Sequence, residues 1–148
     1  MPLAQPRSWK NRQVPNNGIA YLVRQFYDRL WNAWDDNAVD RTLAADFTFR
    51  GSLGQSTCGR DEWRAYRDGI RLGAPDFHND VVDLIVDGHR AAARLQFSGT
   101  HTGLLLSQPP TGRTFTYSGA AFFIARGELL TRAWVLGDLE SLRAQLVA

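Results

Sequence analysis

The sequence predicts an α+β fold: one curved antiparallel sheet wrapped partly around N-terminal helices. Three observations carry this reading. Helical periodicity occupies the first half of the chain, strand alternation occupies the second, and short turn signals separate long consecutive strands. The 148 residues, 44% hydrophobic and 22% charged, are enough for one domain with a substantial core. Seventeen basic residues against fifteen acidic ones leave a net charge of +2, too balanced for a dedicated nucleic-acid binder. The lone Cys58 has no internal disulfide partner, which points to a reducing compartment. No apolar run approaches the roughly 20 residues needed to span a bilayer, and Met1–Val14 lacks the apolar centre of a secretion signal. The expected setting is therefore the cytoplasm, with no membrane partner.

Residues 1–15, with Pro2, Pro6 and Pro15, read as a flexible arm, and residues 16–148 as a single domain. From Asn16, apolar side chains recur at three- and four-residue steps: Ile19, Leu22, Val23, Phe26, Tyr27, Leu30, Trp31 and Trp34. Asn16 or Asn17 can cap this helix, and Asp35-Asp36-Asn37 ends it. A short helix follows at Ala38–Ala44, then a strand at Asp46–Arg50 with Phe47 and Phe49 on one face, broken by Gly51–Gly54. A third helix runs from Arg60 to Leu72. Its inner face carries Trp63, Tyr66, Arg67 and Ile70, and Gly73 with Pro75 stops it.

Beyond Pro75 the period becomes that of strands. Phe77–Val86 and His89–Thr102 flank a two-residue turn at Asp87-Gly88. In the second of these strands Ala91, Ala93, Leu95 and Phe97 alternate with Ala92, Arg94, Gln96 and Ser98. After the loop Gly103–Gly112 comes Arg113–Ala125, with Phe115, Tyr117, Gly119 and Ala121 on one parity. Arg126-Gly127-Glu128 turns into Leu129–Leu136, and Gly137-Asp138 opens a last helix through Leu146. A curved sheet facing a long helix leaves a conical pocket at its open end, the usual place for a small hydrophobic molecule.

Six segments also resemble a family. They are Tyr27-Asp28-Arg29-Leu30-Trp31-Asn32, Phe47–Gly54, Pro75–Asp80, Phe97–Gly103, Pro109-Pro110-Thr111-Gly112-Arg113 and Trp134–Asp138. Their order over Tyr21 to Leu146 resembles the SnoaL-like polyketide (ester) cyclases, of the nuclear transport factor 2-like superfamily. The resemblance implies a cone-shaped, cystatin-like barrel, often dimeric through its sheet, hence a homodimer. It also implies acid–base chemistry without metal or organic cofactor, in which an aspartate takes a proton next to a carbonyl, as in the closure of polyketide rings. The same fold carries other reactions, so fold alone fixes none.

Removing a proton next to a carbonyl needs a base in an apolar pocket and a donor for the oxygen that becomes negative. The candidate catalytic residues are Asp138 and His78. Asp138 follows the last strand, where the resemblance places the catalytic aspartate; its alternative role is to cap the final helix. The position after Trp134, often acidic in relatives, is Val135 here. His78 can point inward at its strand start or sit in solvent. The candidate ligand-binding residues are Arg50, Arg94, Gln96, Tyr117, Trp134, Tyr27, Trp31 and Trp63. Arg50 and Arg94 offer charge, or simply occupy a solvated surface. Gln96 stands where epoxide-hydrolase relatives carry an acid, which argues against their mechanism. The aromatic residues, Tyr66 among them, either fill the core or stack on a planar ligand, and Tyr117 has a hydroxyl to donate. His101 and Cys58 are explained by the fold alone. His78, His89 and His101 show no metal-ligand spacing, so no metal site is expected, and there is no phosphate-binding glycine loop.

Two functions follow. The first is a cofactor-independent enzyme of cyclase or isomerase type, for example an aldol cyclase, acting on a small hydrophobic carbonyl or polyketide-like substrate. The alternative is a protein that binds such a molecule without transforming it.

Overall fold

The computed structural model describes residues 18–147. The arm expected at 1–15 and the caps expected at Asn16 and Asn17 lie outside them. Helix α1, Ile19–Gln25, begins after Gly18 and continues as a π-helical segment, Phe26–Trp31. There Asn32 N donates to Tyr27 O at 2.8 Å, a bond spanning five residues. The widened turn brings positions four and five apart into line, so Phe26, Tyr27, Leu30 and Trp31 are all buried on one side. The helix ends at Trp31 rather than Trp34. Asp35 instead caps the next short turn, Asp36–Ala38, by accepting from Asn37 N at 3.0 Å.

Helix α2 is only Val39–Thr42, and strand β1, Leu43–Arg50, starts earlier than the sequence pattern suggests. The cause is tertiary: Leu43 pairs with Leu130 across the sheet, which draws this residue into an extended conformation. A short unexpected strand β2, Ser56–Cys58, pairs with β1. Then come α3 (Arg60–Gly73), β3 (His78–Asp87), β4 (Arg90–Thr100), β5 (Thr114–Arg126), β6 (Leu129–Gly137) and α4 (Leu139–Val147). The β3–β4 turn is Gly88-His89, one residue later than expected, because Asp87 still pairs with Arg90. Gly88 takes the left-handed φ of 59° that this turn demands.

The strands form one curved, unclosed sheet in the order β2-β1-β6-β5-β4-β3. It is antiparallel except where β1 runs parallel to β6, a departure from the all-antiparallel expectation. Helix α1 packs on β3 to β6, and its π-helical end packs on β3. Phe26 is the hub of the core, with ring centroids 5.6 Å from Trp63, 5.7 Å from Phe123 and 6.0 Å from Phe47. Arg67, only 2% exposed, ties α3 to the end of the π-helix. It donates to Leu30 O at 3.2 Å and to Asp36 at 2.6 Å, with its guanidinium over the rings of Trp34 and Trp63. Among the described residues no helix is long and apolar enough to cross a membrane.

Candidate functional site

Between the helices and the sheet the packing leaves a small inner cavity. The π-helical segment supplies Phe26, Tyr27 and Trp31, and α3 supplies Tyr66 and Ile70. From the sheet side come Phe49, Asn79, Phe97 and Val135, joined by Ser52 of the turn after β1 and Phe77 before β3. The centre of a water molecule has only about 10 Å³ to occupy, space for about one water. The cone is therefore nearly filled by its own aromatic rings.

The surface of this space is apolar, and hydroxyl groups lie behind it. The Tyr27 hydroxyl is fully buried and has no hydrogen-bond partner. A buried phenol without a partner is a donor left unsatisfied, at a cost of about 1–3 kcal/mol. Ser52 Oγ and Tyr117 Oη lie 2.9 Å apart, and Leu53 N donates to Tyr66 Oη at 3.3 Å. Gly51 makes this possible, because a Cβ there would sit 2.0 Å from the Tyr66 oxygen. Burial pushes the Tyr27 and Tyr117 phenols well above their ordinary range. Burial also raises that of Tyr66, against bonds from Leu53 and Ser52 and the nearby charge of Arg50. All three are thus neutral donors at ordinary pH and none is a base. Asn79 is held at the rim by Asn32, which donates to Asn79 O at 2.8 Å and accepts from Asn79 N at 2.9 Å.

The structure distributes the residues singled out in the sequence over two faces. Tyr27 and Trp31 line the cavity. Tyr117 reaches its edge through Ser52. Trp63 is fully buried in the core away from the cavity lining, with Arg67 over its ring at 5.2 Å. His78 is exposed and points outward, opposite Ser98. The inward place expected for it belongs to its neighbours Phe77 and Asn79. Asp138 is exposed and caps α4, accepting from Ser141 N at 3.1 Å, so it does not reach the cavity. Arg94 and Gln96 are exposed on the outer sheet face, opposite Asp83 and Asp80. Trp134 is half-buried on that same face, its ring 6.0 Å from Phe122 and 5.2 Å from the Arg50 guanidinium. Arg50 itself donates to the carbonyl oxygens of Val135 and Gly51. His101 is fully buried, bonding Thr111 Oγ1 at 2.9 Å and Gln108 O at 3.1 Å, and so braces the loop after β4.

Besides several apolar lining residues, two polar ones, Ser52 and Asn79, are not among the sequence candidates. Parity alone could have found Asn79, since Phe77 faces inward two residues earlier. Ser52 lies in a turn, where no periodicity applies.

The chain matches the family model for SnoaL-like polyketide cyclase over residues 21–146. No curated protein resembles it closely enough to count as a match. Among solved structures, a candidate SnoaL-like polyketide cyclase from Jannaschia sp. CCS1 is 18% identical with a TM-score of 0.81, covering 93% of this chain and 99% of that one. TsrD from Streptomyces laurentii is 26% identical with a TM-score of 0.78, covering 92% of this chain and 99% of that one. IdmH, a candidate polyketide cyclase from Streptomyces antibioticus, is 23% identical with a TM-score of 0.76, covering 87% and 98%. The family model spans most of the sequence and the neighbours share its curved sheet and helices. The chain belongs to the SnoaL-like polyketide cyclase family.

Proposed function

We propose that the protein is a cyclase-type enzyme for a small hydrophobic carbonyl compound of polyketide kind, whose carbonyl oxygen alone enters the inner cavity, a space for one water-sized group. The observation that carries this reading is the buried, unpartnered hydroxyl of Tyr27, a residue that lines the aromatic cavity together with Ser52, Tyr66 and Asn79. Ring closure of the aldol type needs an enol or enolate, and its negative charge develops on the carbonyl oxygen. Tyr27 donates to that oxygen and Tyr66 stands beside it, in a site from which water is excluded. Each such donor is worth on the order of 10²–10³ in rate. Because the lining holds no carboxylate or imidazole among the described residues, the protein's contribution is polarisation and positioning. The α-proton then leaves to a basic group of the substrate. No metal and no organic cofactor enters this proposal.

The test is Tyr27→Phe with a panel of polyketide-like and steroid-like ketones. The ring still fills its place, and kcat/KM falls by about 10²-fold. Turnover equal to the parent on every active ketone would overturn the reading.

One observation favours the second reading, a binding protein without catalysis: Val135 occupies the cavity position where the resemblance leads one to expect an acid. Mass spectrometry of the purified protein with a bound ketone separates the two. An intact ligand with no product over long incubation supports binding alone, and product supports the enzyme.

We further propose a cytoplasmic homodimer. The outer sheet face exposes Phe122 and Leu136 at 53% and 50%, apolar area that a second copy would cover. A sedimentation mass of 16.6 kDa would overturn the dimer. The exposed free Cys58 fits a reducing compartment.

A further inference from the structure

Outside the inner cavity, between α3, α4 and the loop after β4, lies a second, larger and open hollow of about 410 Å³. Tyr66 and Ile70 line both spaces, so the Tyr66 ring is the partition between them. The lining is mixed: Leu53 from the turn after β1 and Leu104, Leu105 and Leu106 from the loop after β4 supply apolar side chains beside the polar Gln55 and Ser107. Leu104 is 65% exposed, an apolar surface left facing water. The charged residue in the lining is Arg143 of α4, which has no carboxylate partner among the described residues.

The loop that forms this wall is held in a costly conformation. Leu105 and Gln108 pair as a tight antiparallel bridge, with main-chain bonds of 3.2 and 2.8 Å. The residues between them, Leu106 and Ser107, have φ of 50° and 60°, a left-handed turn that glycine or asparagine would adopt more easily. The neighbouring stem admits no slack. Gly103 N donates to Gly73 O at 3.0 Å, and a Cβ on Gly103 would lie 1.9 Å from Leu72 O. His101 braces the same loop from below. A strained turn fastened at both ends that presents leucine to a hollow marks a shaped wall rather than a slack connection.

We infer that this hollow is the outer half of the binding site and takes the apolar tail of a substrate ending in an anionic group, with Arg143 reading the charge and Tyr66 parting the two halves. The inference rests on the reading of the inner cavity as the seat of the reacting carbonyl oxygen and adds a substrate class to it: an amphipathic chain with a carboxylate or phosphate end. The guanidinium suits either anion, since its donors can meet two oxygens at once.

The experiment is calorimetric binding of lauric acid, lauryl phosphate and lauryl alcohol, each below its micellar concentration, to the full chain. One or both anionic probes bind at least about tenfold tighter than the alcohol. Which of the two prevails identifies the end group. Arg143→Gln removes the preference and leaves the alcohol unchanged, and Arg143→Lys restores part of it. Equal affinity for all three probes, binding of none, or a preference that survives in Arg143→Gln would each overturn the inference. The two readings fail separately. Lost selectivity beside a damaging Tyr27→Phe breaks the outer half alone, whereas intact selectivity beside an inert Tyr27→Phe breaks the inner reading.

Discussion

The two faces of the sheet use the same strands for opposite purposes. Facing the helices, β3 to β6 present Asn79, Leu95, Phe97, Tyr117 and Val135, all buried. Facing away, the intervening positions present His78, Arg94, Gln96, Arg132 and Leu136, all exposed. Nearly every ionisable group that looked like chemistry on these strands lies on the outer face. The inner face offers neutral hydroxyls and an amide in an aromatic setting. The difference teaches that any reaction inside this cone runs on hydrogen-bond donation, since a buried unpaired charge is costly and none is placed there.

The sharpest contrast is between neighbours on β6. Val135→Asp puts a carboxylate into the cavity and costs about 4 kcal/mol of stability, while Leu136→Asp on the outer face changes it by less than about 0.5 kcal/mol. Denaturant unfolding of both variants measures the gap, and equal losses would show that the faces do not differ. The next effect concerns Tyr66. Gly51→Ala drives a methyl against its hydroxyl and costs about 1–3 kcal/mol. Gly69→Ala on α3 has open space around its Cβ and gains up to about 1 kcal/mol.

Asp138→Ala removes a helix cap and lowers stability by about 1 kcal/mol, with turnover unchanged. A loss of activity at unchanged stability would return Asp138 to the chemistry. The smallest effect is that of pH. The buried phenols of Tyr27 and Tyr117 stay protonated in the folded chain above pH 10.0, where unfolded tyrosine ionises. The folded state then binds more protons than the unfolded one, so unfolding free energy declines as pH rises past that value. Tyr27→Phe flattens the decline in a series of melts, and an identical slope in the variant would place the phenol in a wetter site than the structure does.

Periodicity was a good guide wherever one face had to be buried. The stripes of α1 and α3 and the parities of β1, β4 and β5 appear as the sequence implies, and Arg67 shares the buried face of α3 with Trp63. Boundaries moved where long-range pairing overrode local preference, as at Leu43, and where Asp87 stayed in the ladder. The site was less legible. Tyr27 and Trp31 lie at the cavity as expected, but His78 and Asp138 do not, because chemical type cannot tell a capping or solvated side chain from one aimed inward.

The order of residues was thus enough to dictate an α+β fold, its family and which faces of its helices and strands are buried, since alternation and helical spacing follow from which surfaces must leave water. Three-dimensional packing alone settled how much space remained, that Tyr27 lacks a partner there, and that Tyr66 and Ile70 join an inner cavity to an outer hollow. These depend on the widened turn at Phe26–Trp31 and on where distant loops meet, and no local pattern encodes such meetings.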